Sequence, residues 1–390
     1  MDKKIITLFP YLLVFYEIAT YLSNDMYLPA LPTIMHDLLT THSLTQLTIT
    51  TWALGASSIQ LFMGPLADRF GRRPILFFGG IIFIISTAMC AVSTNVLFLL
   101  ISRFLQGTAV CSVTVAGYAT IHELFDQQQA IKTLALMGSI TVLAPAFGPL
   151  LGGFIMLVMN WRWTFWFLAI WAVIALILLF KYMPETNPHG KLYSLQLKSL
   201  FHNYKLIIKN KDFSRNTLVF CLMFCGMIIW IAAGPFLVIS EFGYHILMFG
   251  VFQALIFGCF IFGAHIVNSH TNKLHVATWI NLGLLIAFSG GIISLFLAFI
   301  FPHFLIGLII SLMIYSSGSA LAFAPLQRIA IEASDQPMGA RMAIFSTAMS
   351  GAAAFASILV SIFYNSTLIS VAAIVTVVML MAVLIHWKWR

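Results

Sequence analysis

Three charged side chains lie deep within long apolar runs of this 390-residue chain: Glu17 and Asp25 in the first run and Arg103 in the fourth. A charge surrounded by hydrocarbon is costly unless it faces a polar cavity or a partner, so each of the three marks a position where function is expected. Along a helix, eight residues make two turns plus about 80°. Glu17, Tyr21, Asn24 and Asp25 therefore share one broad polar stripe. Burial favours the neutral form of a carboxyl group, whereas a nearby guanidinium favours the carboxylate. A group balanced between the two can bind and release a proton near neutral pH. The chemistry on offer is reversible protonation. Asp25 is the first choice as proton carrier, with Glu17, nearer the middle of its run, as a charge that reads a bound compound. Two simpler roles stay open. One acid could serve only to anchor Arg103, and Arg103, about 12 Å into its run at helical rise, could stretch toward the nearer surface.

These residues need a particular setting. Apolar residues make up 61% of the chain, charged residues 8%, and the mean hydropathy is +0.99. A soluble domain carries about a quarter of its residues as charges, so this chain is solvated by lipid. Each crossing of the hydrocarbon core takes about twenty apolar residues, and backbone in lipid must satisfy its own hydrogen bonds, which makes each run a helix. The runs fall at 8–28, 44–66, 74–93, 95–121, 129–158, 163–183, 215–240, 247–269, 276–299, 303–327, 340–364 and 367–387. The expected fold class is an all-α polytopic membrane protein with twelve transmembrane helices.

The net charge of +8 does not point to nucleic acid, because the basic residues sit in short segments between apolar runs. Of 20 Lys and Arg, Arg162 falls on one set of loops, Arg103 within a span, and the rest on the alternating set. The positive-inside rule makes that set cytoplasmic. Both termini are then cytoplasmic, which requires an even number of spans. The apolar stretch after Lys3 and Lys4 is too long for a cleaved leader, contains Glu17, and reads as the first span. All five cysteines lie in apolar runs, and the Cys221/Cys225 pair has no His or acid beside it, so they read as buried apolar residues. No metal cluster, activated nucleophile or phosphate loop is evident, so no enzyme activity, metal or organic cofactor is expected. The longest connection interleaves Lys191, Lys198, Lys205, Lys209 and Lys211 with Leu192, Leu195, Leu197, Leu200, Leu206 and Ile207. It reads as an amphipathic helix on the cytoplasmic membrane face. The division is a six-helix bundle at 1–183, a linker at 184–214 and a second six-helix bundle at 215–390.

Three motifs carry more. The loop after the second run reads Gly64-Pro-Leu-Ala-Asp68-Arg69-Phe-Gly71-Arg72-Arg73. Gly64 and Gly71 would permit close helix approach and a tight turn, and Asp68 would pair with cations. The fourth run holds Arg103 and Gln106-Gly107, and the fifth ends Pro145-Ala-Phe-Gly148-Pro149-Leu-Leu-Gly152-Gly153. Small residues on one face allow tight packing, and the prolines bend the span. Two six-helix halves with these motifs resemble the major facilitator superfamily. The fifth-run motif resembles that of its antiporters. Tyr16-Glu17-Ile-Ala-Thr20-Tyr21-Leu-Ser-Asn24-Asp25, Gly117-Tyr118 and Met183-Pro-Glu185-Thr186 resemble its twelve-helix multidrug/proton antiporters. In the second half Trp230-Ile-Ala and Ala333-Ser-Asp335 carry what resemblance there is, and 263–273 looks like a degraded copy of the Gly64–Arg73 loop without its acid.

The resemblance implies proton-coupled efflux of small lipophilic compounds in a bacterial inner membrane, by a monomer whose other partners are membrane lipids. It assigns proton coupling to Asp25, Glu17 and Arg103, and a cytoplasmic gate to Gly64, Asp68, Arg69, Gly71 and Arg72. It places Tyr21, Asn24 and Met137 in the pocket beside the two acids. Ile229, Trp230, Pro235 and Tyr315 are second-half pocket candidates, whereas His265 falls near the cytoplasmic end of its run. A dedicated exporter of a metabolite or siderophore would share every motif. A proton-driven importer is a further alternative, although the polar groups a sugar site needs are sparse beyond Gln60, Gln106 and Gln253.

Overall fold

Apolar runs that must close their own backbone hydrogen bonds become helices, and the described residues contain helices and no strands. The computed structural model describes residues 3–186, 197–270 and 275–388. Lys191, Leu192, Leu195, Lys273 and Arg390 lie outside them, as do the side chains of Leu197 and Lys198.

The first helix, α1, spans Lys3–Asp25 and runs through a short 3-10 turn, Leu28–Ala30, into α2 (Leu31–Asp37). Then come α3 (His42–Phe70), α4 (Arg72–Ala91) and α5 (Val96–Ser112). A π-helical turn, Val113–Gly117, joins α5 to α6 (Tyr118–Leu124). They are followed by α7 (Gln127–Val158), α8 (Arg162–Tyr182) and the linker helix α9 (Leu197–Lys209). The remainder comprises α10 (Lys211–Pro235), α11 (Ile246–His270), α12 (Val276–Ile300), α13 (Leu305–Glu332), α14 (Met338–Phe363) and α15 (Leu368–Lys388). Among the described residues, nine segments are long and apolar enough to cross a membrane. With α1, α3 and α7, of 23, 29 and 32 residues, they make the expected twelve.

Helix starts follow local chemistry. Thr41, Asn95, Asp126 and Asn210 each accept a hydrogen bond from the backbone N–H three residues on, which satisfies a donor the helix leaves free. Packing inverts the polarity of a soluble protein. Ile177, Phe180, Phe296 and Phe299 stand exposed, while Glu17, Arg103, Gln106 and Gln253 are fully buried. That is the arrangement lipid demands.

Two seams join helices of the first six spans to the last six: α3 on α14 and α7 on α11. Along the first, Ser43 Oγ donates to Ser361 O at 2.7 Å, and Ser361 Oγ returns a bond to Ser43 O at 3.2 Å. Further along, Ser357 Oγ donates to Gln46 O and Ser57 Oγ to Thr347 O. The apolar face of α9 rests on protein. Ile207 is fully buried, Tyr204 Oη donates to Leu61 O at 2.8 Å, and Phe201 meets Phe62 edge-on.

One expectation needs correcting. A Cβ placed on Gly64 would meet nothing within 4 Å, so no helix approaches there. The turn belongs to Gly71 alone, whose φ of +96° suits glycine. The extra atom would also lie 2.7 Å from Glu185 Oε2.

Candidate functional site

The polar stripe of α1 faces inward. Glu17 is fully buried and Asp25 3% exposed, with Tyr21 and Asn24 half-buried between them. Opposite, α5 presents Arg103, also fully buried. Arg103 makes no ion pair with either acid. Its Nη1 donates to Ser23 O at 2.8 Å and to Gln106 Oε1, its Nε to Thr48 O at 3.3 Å, and its Nη2 to Asn24 Oδ1 at 3.3 Å. The guanidinium also lies over the Tyr27 ring, 4.3 Å from its centroid. It thus closes the last turn of α1, where a carbonyl lacks a helical partner and a cation suits the helix dipole.

Asn24 links cation to acid. Its Oδ1 accepts from Arg103, and its Nδ2 reaches Asp25 Oδ1 at 3.5 Å. Neither carboxylate merely anchors the arginine by direct contact. Gln106, one turn from Arg103 on α5, continues the network by donating to Thr87 Oγ1 at 2.8 Å. The Arg103–Gln106 spacing of three residues signals that shared face. The contributions of Thr48, Ser23 and Thr87 carry no comparable sequence signal.

Glu17 has a different environment. Tyr118 Oη donates to its Oε1 at 2.8 Å, while Oε2 is buried without a partner among the described residues. The π turn at Val113–Gly117 immediately precedes Tyr118 and resets the register of the span. A buried acid oxygen left open can accept a proton or a donor from a bound compound.

The glycines of α7 set the distance between helices. A Cβ at Gly148 would stand 2.8 Å from the Asp25 Cβ, one at Gly152 would overlap Met26 O, and one at Gly153 would press on Leu247 of α11. Pro145 and Pro149 lie within the same continuous helix. Met137 is fully buried lower on α7.

In the second half Ile229 and Trp230 are buried on α10, and Trp230 Nε1 donates to Gln253 Oε1 of α11 at 2.7 Å. Pro235 is buried at the end of α10. The Tyr315 hydroxyl is occupied, donating to Met223 O at 2.7 Å, so it pins α13 to α10. His265 is exposed near the end of α11, as expected.

The Gly64–Arg73 segment, expected as a loop, is helical except at Gly71, forming the end of α3 and the start of α4, and it is tied to neighbouring helices by charge. Arg72 pairs with Asp68 at 2.7 Å and with Glu123, at the end of α6, at 3.0 Å. The Glu185 carboxylate accepts from the backbone N–H of Arg72 and Arg73 at 3.1 and 3.0 Å, and Thr186 Oγ1 donates to Glu123. A carboxylate at the start of α4 offsets the helix dipole. Arg69 lies over the ring of its neighbour Phe70, 5.3 Å from the centroid.

Comparison with known proteins agrees with this architecture. Residues 13–334 match the family model of the Major Facilitator Superfamily. The multidrug transporter MdfA of Escherichia coli is 33% identical over 340 residues, covering 85% of this chain and 81% of that protein. The multidrug resistance protein MdtM of Salmonella typhimurium is 29% identical over 331 residues, covering 85% and 80%. Among solved structures, the xylose transporter XylE from Escherichia coli superposes with a TM-score of 0.76 over 99% of this chain and 98% of its own, at 14% identity. That likeness concerns fold alone.

Proposed function

The chain belongs to the major facilitator superfamily as a multi-pass membrane protein, and we propose that within it this protein is a multidrug/proton antiporter. It exports small lipophilic compounds, cationic and neutral, by alternating access across a bacterial inner membrane. The observation that carries this reading is the buried trio Glu17, Asp25 and Arg103, with Arg103 and Asp25 joined through Asn24 and Glu17 held by Tyr118. The names of the MdfA and MdtM relatives support the substrate breadth.

Asp25 carries the proton. With the cytoplasmic side open, a compound enters beside Glu17 and favours the ionised form of Asp25, whose proton leaves. With the outer side open, a proton returns to Asp25, and the compound is released. Glu17, with one oxygen held by Tyr118 and the other open, attracts cationic compounds. Tyr21, Asn24, Met137, Ile229 and Trp230 complete the pocket, with Met and aromatic surfaces that adapt to varied shapes. Both termini are cytoplasmic, the protein acts as a monomer, and the α3–α14 hydroxyl bonds support a state closed at the outer end.

The test uses purified protein in liposomes with an imposed pH gradient and a panel of cationic and neutral lipophilic compounds. Gradient-dependent movement of several unrelated compounds is expected, and Asp25→Asn abolishes the coupling. Proton-coupled transport surviving in that variant would overturn the assignment of Asp25.

A further inference from the structure

Gln253 is fully buried on α11, and its amide orientation is fixed by chemistry. The Trp230 indole N–H can only donate, so the Gln253 oxygen must face it. Two amide N–H donors are left over, on a nitrogen that is buried without an acceptor among the described residues. A buried donor without a partner is destabilising, and where one persists a bound acceptor or a functional role is expected. The surroundings are apolar. Phe249 lies 6.0 Å from the Trp230 ring, and Phe252 and Ile256 are buried on the neighbouring turns of α11.

The depth of this amide follows from helix register. Gly153 of α7 lies against Leu247 of α11, and Gly250 lies against Leu150. The helices are antiparallel, so Gln253 falls level with residue 147 of α7. Gly148 of α7 lies against Asp25. Amide and acid therefore sit at one depth, on opposite halves of the molecule. At that depth the first half carries charge, and the second a neutral donor beside aromatic side chains.

We propose that Gln253, held by Trp230, is a binding residue for uncharged lipophilic compounds that carry a strong hydrogen-bond acceptor such as a carbonyl or phosphoryl oxygen. Cationic compounds use the acidic half instead. The assignment rests on the transport reading above and adds a substrate class to its second half.

Two probes of similar bulk separate the halves: triphenylphosphine oxide, neutral with one strong acceptor, and tetraphenylphosphonium, a cation with none. Binding of each to the purified full-length protein is measured by equilibrium dialysis. Gln253→Leu is expected to weaken triphenylphosphine oxide about tenfold, the factor that 1.4 kcal/mol represents, while tetraphenylphosphonium changes less than twofold. Should the leucine variant not fold, Gln253→Glu retains the acceptor for Trp230 and is expected to lose the phosphine oxide without losing the cation. Unchanged phosphine oxide affinity in the variant, an equal loss of both probes, or no binding of the oxide by the unaltered protein would each overturn the proposal. Gradient-driven transport of tetraphenylphosphonium by the unaltered protein tests the antiport reading separately, so the two can fail independently.

Discussion

Replacing Arg103 by lysine keeps the charge and removes the geometry. The guanidinium sends donors in several directions: to Ser23 O and Asn24 on α1, to Thr48 O on α3, and to Gln106 on its own helix. An ammonium is a single point and cannot reach all of them. Thr48 O lies within α3 and keeps its intrahelical bond, so its loss matters least. Ser23 O at the end of α1 and the amide oxygens of Asn24 and Gln106 depend on the arginine. If lysine retains one of those three, two buried charge-assisted bonds are lost, each contributing roughly 1.5 kcal/mol or more. The expected cost is about 3 kcal/mol, or about a hundredfold in the unfolding equilibrium. Denaturant titration in mixed micelles, followed by tryptophan fluorescence, reads the stability, and compound-induced proton release reads the coupling. A lysine variant within about 0.5 kcal/mol of the unaltered protein and with normal proton release would refute the argument that the fork, rather than the charge, organises the site.

Two further outcomes follow from packing. Gly152→Ala sets a methyl into Met26 O, so it is expected to cost about 1–3 kcal/mol and reduce proton release, whereas Gly138→Ala, with nothing within 4 Å of the new atom, is expected to be mild in the same denaturant titration. Ser43→Ala with Ser361→Ala removes the reciprocal pair at the α3–α14 seam, about 1 kcal/mol per bond. Spin-label distances across that end are expected to lengthen, with Ser58→Ala, whose hydroxyl bonds within its own helix, as the unchanged control.

The spans were legible because hydropathy and loop charge act over twenty residues at a time, and the twelve expected runs fall within a few residues of the long helices. The linker helix was legible for the same reason, although its pattern could not tell a lipid face from a protein face, and Tyr204 in fact bonds to α3. Glu17, Asp25 and Arg103 announced themselves by cost. Their partners did so only in part. Asn24 and Gln106 share polar faces with the charges and could be read from spacing, but the main-chain oxygens of Ser23 and Thr48 that complete the hold on Arg103 are offered by every residue type and marked by no sequence pattern. Tyr118 bonds to Glu17 across 101 positions of the chain, a contact that no local spacing marks. Gly64 was misread in the opposite sense, since a small residue permits close approach without requiring a neighbour to take it up.

The charged site touches both seams between the halves. Arg103 bonds to Thr48 O on α3, and α3 carries Ser43 and Gln46 to the hydroxyl bonds with α14. Asp25 rests against Gly148 on α7, and α7 meets α11 through Gly153 on Leu247 and Leu150 on Gly250. Each seam therefore lies one helix away from a titratable or charged member of the site. A proton taken up by Asp25 would change the balance at Asn24, and so the hold of Arg103 on the end of α1 and on α3. Close-packed helices with Cβ-free contacts do not deform gradually; they shift between discrete packings. A change of one charge at this point can bias both seams together, which is the physical requirement for coupling proton exchange to alternating access.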